Sequence, residues 1–242
     1  MLKIRNECPV SKNSAQLDCG RVDVISVITA LLSRIVDFVV PQCCASCESP
    51  VRGNAVWCFR CADTVAELPK PGTCFTPQGH RVLAPFVYQG SVARAIQRLK
   101  FSDRPELARA LGFSLANVVE LADIPADSLI VPVPLSAARL VERGYNQSAL
   151  LASALSRKVG LRCRPTALRR MHSAPHQVGA NKASRAQQVA GAFMANRKII
   201  QHANVVLLDD VVTTGATSAA CAAALKAVNA RLVAIVAVAR VL

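Results

Sequence analysis

Val205-Val206-Leu207-Leu208-Asp209-Asp210-Val211-Val212-Thr213-Thr214-Gly215-Ala216-Thr217 is the stretch on which the fold turns. Its four leading apolar residues predict a buried parallel strand, with two adjacent carboxylates where that strand ends. A short loop of hydroxyls and glycine follows, then an Ala-rich helical run from about Ser218. Acids and a phosphate-sized nest at the carboxyl end of a parallel strand lie where open α/β sheets bind ligands. Each residue type suits a phosphorylated sugar. The backbone N–H groups of Thr213, Thr214, Gly215, Ala216 and Thr217, with the threonine hydroxyls and the helix N-terminus, can hold a phosphate. Asp209 and Asp210 can accept from vicinal ribose hydroxyls or help position Mg²⁺. Two carboxylates directly after a buried strand cost desolvation unless something uses them. The other common phosphate loop, G-x-x-x-x-G-K-[ST], does not occur in the chain.

Outward from this stretch, strands alternate with helices, which implies a parallel α/β sheet. Val82 to Tyr88 reads as a strand, followed by a turn at Gly90 and helical patterns through about Ala122. Leu129-Ile130-Val131-Pro132-Val133-Pro134 is a second buried strand, ended by its prolines. A helix from about Asn146 to Val159 and a basic loop rich in His, Asn and Gln precede the Asp-Asp strand. A final strand, Leu232 to Ala239, closes the sheet. The expected organisation is a poorly ordered extension over 1–21, an amphipathic helix over 22–41, a Cys-rich segment over 42–80 and the α/β domain over 81–242.

The helix over 22–41 is the one segment apolar enough to test as a membrane span. Val24, Ile28, Leu31, Leu32, Ile35, Val36 and Val39 recur at helical spacing, with Asp23, Ser26, Ser33, Arg34 and Asp37 opposite. That pattern describes a helix packed on the protein and ended by Pro41. The chain is therefore expected not to be an integral membrane protein, and with no secretory signal it reads as cytoplasmic. Of the 242 residues, 52% are hydrophobic and 18% charged, which excludes a disordered chain. The net charge of +14 is uneven: residues 125–242 hold 15 Lys+Arg against 4 Asp+Glu, so +11 falls there and +3 on the rest. The C-terminal half favours anionic partners such as nucleotides, pyrophosphate or nucleic acid.

Ten cysteines with no secretory signal point to metal in a reducing compartment. Cys44-x-x-Cys47 and Cys58-x-x-Cys61 form two knuckles ten residues apart, the arrangement of a closed tetrahedral Cys₄ site that is structural and not catalytic. Zinc is the expected metal; an iron–sulfur cluster or redox thiols are the alternatives. Cys43 competes with Cys44 for the first position, Cys74 and His80 are accessory candidates, and Cys163 and Cys221 read as core.

Further motifs carry a resemblance. After the Cys₄ knuckle come Tyr88-Gln89-Gly90, Leu99-Lys100-Phe101, Val131-Pro132-Val133-Pro134-Leu135, Arg139, Arg143-Gly144-Tyr145-Asn146-Gln147, then Gln177, Arg185, Gly191-Ala192-Phe193 and the Asp-Asp loop. This order resembles the ComF/GntX family, competence-protein-F-like homologues of the type I phosphoribosyltransferases, from about residue 25 to the end. The resemblance implies a type I phosphoribosyltransferase fold with an N-terminal zinc finger. It implies a 5-phosphoribosyl-1-pyrophosphate (PRPP) or related phosphoribosyl ligand, bound with Mg²⁺ at Asp209, Asp210 and Thr213 to Thr217. It also implies a role in uptake of single-stranded DNA during natural transformation, beside the DNA-uptake machinery. By the same resemblance Arg139 and Arg143 fall in the segment where phosphoribosyltransferases place their pyrophosphate-binding loop, and a guanidinium fork suits phosphate oxygens, with plain surface arginines as the alternative; Lys100 and Arg185 are lesser candidates. Arg185 falls in the loop that covers the family's site, with Gln188 where Asn is usual and Val178-Gly179-Ala180-Asn181 where Gly-Leu is usual. His172 and His176 flank that loop and are assigned no role. No segment identifies an acceptor pocket. The alternative functions are an active Mg²⁺-dependent phosphoribosyltransferase on a small acceptor and, behind it, a metabolic role of the GntX kind.

Overall fold

Why the Asp-Asp segment is buried follows from its partners. In the computed structural model, which describes residues 43–52, 55–68, 74–171 and 191–242, it lies in the middle of a sheet. In chain order the elements are α1 (Phe59–Ala62), β1 (Cys74–Phe75), β2 (Arg81–Leu83), β3 (Phe86–Val87), α2 (Gly90–Phe101), α3 (Leu107–Ser114), α4 (Ala116–Glu120) and β4 (Leu129–Pro132). There follow α5 (Ala137–Arg143), α6 (Gln147–Val159), β5 (Arg162–Cys163), β6 (Leu168–Arg170), β7 (Phe193–Ala195), α7 (Arg197–Ile200), β8 (Asn204–Val212), α8 (Ala216–Ala227) and β9 (Arg231–Arg240).

The main sheet runs β1-β2-β9-β8-β4-β5, with β3 also on β9. All its pairings are parallel except β1 with β2. A separate antiparallel pair joins β6 to β7. The expected strand over Val82 to Tyr88 is interrupted at Ala84-Pro85, where proline removes a donor. The two pieces keep one register on β9, Val82 opposite Ile235 and Phe86 opposite Ala239. The helical run to Ala122 is three helices, and β4 stops at Pro132 rather than Pro134.

Helices cover both faces of the sheet. On one side Val92, Ile96, Leu99, Leu111, Leu115, Leu151 and Leu155 pack on Leu83, Ile130, Val206, Leu208, Val236 and Val238. On the other, Phe193, Ile200, Cys221 and Leu225 pack on Val82, Val131, Val205, Leu207 and Ile235. Helices α3 and α6 approach closely because residue 112 is glycine: a Cβ there would stand 2.6 Å from the Ala154 methyl. The Cys-rich segment joins the first core through Ala45, Val56 and Trp57, whose ring meets Phe86 edge-on at 6.0 Å. The expected extension, the helix over 22–41 and the covering loop with His172, His176, Gln177 and Arg185 lie outside the described residues. Among the described residues no helix is long and apolar enough to cross a membrane.

Candidate functional site

Strand β8 runs on to Val212, so Asp209 and Asp210 lie inside it and not beyond its end as the sequence suggested. The reason is the length of β9, whose alanines extend the ladder: Asp209 pairs with Ala237 and Val211 with Ala239. The two side chains leave opposite faces of the strand, yet both carboxyls reach the first turn of α6. Asp210 is 3% exposed. Its Oδ1 lies 2.7 Å from Lys100 Nζ, and its Oδ2 accepts from Gln147 Nε2 at 2.7 Å. A buried carboxylate with a cation and an amide on its two oxygens is satisfied. Arg143 Nη1 in turn donates to Gln147 Oε1 at 3.0 Å, and its guanidinium stacks 4.7 Å from the centroid of the Phe101 ring.

Asp209 is half-buried. Its Oδ1 accepts from Ser148 Oγ at 3.2 Å and from the backbone N–H of Asp210 at 2.9 Å. Burial, and then the neighbouring Asp210 charge, push the Asp209 carboxyl up to about 7. Gln147 and Ser148 are the first residues of α6, and that helix is aimed by its cap. The Asn146 carboxamide oxygen accepts from the N–H groups of Ser148 and Ala149, while its Nδ2 donates to Val133 O at 3.1 Å. The N-terminus of α6, partially positive, therefore faces the acid pair.

Thr213 and Thr214 form an exposed turn, and α8 begins at Ala216, two residues before the expected Ser218. Gly215 caps the helix with φ +74°, a left-handed backbone that costs a side chain roughly 1–2 kcal/mol. A Cβ there would also come within 2.8 Å of Thr76, so the β1–β2 hairpin lies against the loop. The N–H groups of a left-handed turn opening a helix suit an anion. Ala216 and Thr217 stay exposed in the first turn of α8.

Of the other residues expected at the site, Arg143 and Lys100 join the Asp210 network. Lys100 holds a carboxylate, where the sequence suggested a phosphate contact. Arg139 sits exposed on α5, and among the described residues its side chain has no polar partner. Gln147, Ser148 and Thr76 carried no role in the sequence reading. A polar pair directly after the Asn146 cap and ahead of the apolar run Ala149-Leu150-Leu151-Ala152 was the available signal for the first two.

The sulfurs of Cys44, Cys47, Cys58 and Cys61 all lie within 4.8 Å of one another. Tetrahedral zinc with bonds of about 2.3 Å sets its sulfurs roughly 3.8 Å apart, so the four thiols can bind a metal such as zinc. Hydrogen bonds with Ser49 pull the Cys47 thiol down to about 6, toward the thiolate a metal needs. Cys44 fills the first position. Cys43 lies in a bridge to Pro50, and neither Cys74 nor His80 joins the group. Cys221 is core, whereas Cys163 is only half-buried.

No protein-family model matches the chain. Among known proteins it is similar to the DNA utilization protein YhgH of Salmonella typhi, 30% identical over 183 residues, 73% of this chain and 80% of that protein. It is 27% identical over 183 residues to competence protein F of Haemophilus influenzae, covering 72% of this chain and 80% of the relative. Among solved structures it matches an adenine phosphoribosyl transferase from Trypanosoma brucei at 14% identity and a TM-score of 0.36, over 73% of this chain and 64% of that one.

Proposed function

The chain belongs to the ComF family, and we propose that it is a cytoplasmic competence protein that handles single-stranded DNA during uptake and binds PRPP or a related phosphoribosyl ligand. The relatives' names, a DNA utilization protein and a competence protein, support the first part. The observation that carries the second is the Asp209–Thr217 segment, a half-buried carboxyl leading into a left-handed turn at a helix N-terminus. The 5-phosphate sits on the N–H groups of Thr213 to Thr217, and Asp209 accepts from the ribose hydroxyls. Asp210, held by Lys100 and Gln147, fixes the base of the site from beneath.

Mg²⁺ entering with the ligand supplies charge to the pyrophosphate. On the protein side Arg143 contributes a guanidinium, with Arg139 on the same short helix as its more exposed neighbour. The Cys₄ group holds a structural zinc ion that fixes the Cys44–Cys47 knuckle, through Ser46, against α2. The DNA-uptake machinery is the expected partner.

An active phosphoribosyltransferase is the second reading, favoured by an Asp209 carboxyl near neutrality, suited to proton transfer. Calorimetric titration of the full chain with PRPP and Mg²⁺ tests the ligand. One site is expected, lost in Asp209→Asn. Absence of heat with the wild-type chain contradicts the ligand, and steady pyrophosphate release in the presence of an acceptor selects the transferase.

A further inference from the structure

Helix α2 and the cysteine knuckle leave an open groove between them, lined by Ser46, Arg94, Gln97, Arg98, Phe101 and Ser102. It contains none of the residues of the 209–217 loop. Its volume, about 360 Å³, falls in the range of small-ligand pockets and suits one nucleotide unit at a time.

Phe101 is 67% exposed, although it ends a helix whose Val92, Ala95, Ile96 and Leu99 are fully buried. Arg94 donates from Nε to Ser46 Oγ at 2.9 Å and from Nη2 to Ser91 Oγ at 3.1 Å. Both acceptors are neutral, and among the described residues no carboxylate pairs with Arg94 or with Arg143. Their guanidinium groups are thus held in place without being neutralised. Arg98 differs: it pairs with Glu48 and donates to Ser46 O, which ties the knuckle to the helix.

The Phe101 ring, still 67% exposed with the Arg143 guanidinium stacked against it, the unneutralised Arg94 and the Gln97 amide make a stacking platform on a cationic track, the device that holds single strands without reading their sequence. A duplex keeps its bases stacked and would leave the ring unused. A phosphopeptide would engage the arginines alone.

We propose that this groove binds single-stranded nucleic acid, with a base stacked on Phe101 and the neighbouring phosphate on Arg94. The inference rests on the reading that the protein handles single-stranded DNA, and it gives that strand a place on the knuckle face of α2.

Fluorescence anisotropy with a labelled oligothymidylate and the full chain tests it. Phe101→Ala and Arg94→Gln should each weaken binding about tenfold. Arg157→Gln, on the exposed part of α6, should bind as wild type. Phe101→Trp should retain affinity, and its emission over the Trp57 background should be quenched by the oligonucleotide, which a purely structural role for Phe101 would not produce. Wild-type binding that both groove variants retain in full overturns the groove and leaves the DNA reading standing. A wild-type chain that binds no oligonucleotide overturns both.

Discussion

Lys100 on α2 and Asp210 on β8 form an ion pair of 2.7 Å across the interface between helix and sheet, with side chains 21% and 5% exposed. The same helix meets the cysteine knuckle through Arg94 and Arg98. One element therefore touches Ser46 of the cysteine knuckle with one part of its length and Asp210 with another.

Removing one partner of a buried pair leaves the other charge uncompensated, at a cost of about 3–5 kcal/mol. Lys100→Met should lower unfolding stability by that order in urea. Asp210→Asn should cost less, because the lysine left behind is the more exposed partner. Equal stability of Lys100→Met and wild type would contradict the pairing.

Asp209 gives a pH signature. Its folded pKa, about 7, lies above the ordinary 3.8, so between these values the folded chain holds a proton that the unfolded chain has lost. This contribution favours folding at low pH and fades as pH rises through the window. Thermal melting should show the wild type losing ground to Asp209→Asn between about pH 4 and pH 7. A parallel pair of curves would contradict the raised carboxyl.

Metal content discriminates among the cysteines. Native mass spectrometry should find one zinc ion per wild-type chain, and also in Cys43→Ser and Cys74→Ser. Cys44→Ser and Cys61→Ser should lose it, with a marked fall in stability, since structural metal binding contributes folding free energy. Stripping the ion with a chelator should loosen the contacts that Arg94 and Arg98 make with Ser46. Retention of zinc in Cys44→Ser would overturn the assignment.

Gly215→Ala should cost roughly 1–2 kcal/mol in backbone strain alone, plus displacement of Thr76. Calorimetry should find ligand affinity reduced at least tenfold while the zinc content stays at one. Unchanged affinity would mean that the turn does not hold the phosphate.

The parallel α/β sheet and the Cys₄ group were legible because strand hydrophobicity and C-x-x-C spacing are local signals. The end of β8 was not, because its length is set by β9, a partner the local sequence does not contain. The same holds for Lys100: nothing between Leu99 and Phe101 indicates that its ammonium meets a carboxylate more than one hundred residues later. Cys44 was separable from Cys43 only once the fold set its sulfur beside those of Cys47, Cys58 and Cys61. Arg139 and Arg143 looked alike in sequence, yet only Arg143 sits where α5 meets α6 and can reach Gln147.

The most direct test of the central claim is transformation frequency in a host carrying an in-frame deletion of this coding sequence, complemented by wild type or by Gly215→Ala, under conditions in which the intact strain takes up DNA. The account predicts a fall of several orders of magnitude that the wild type restores and Gly215→Ala does not. An unchanged frequency in the deletion strain would contradict it.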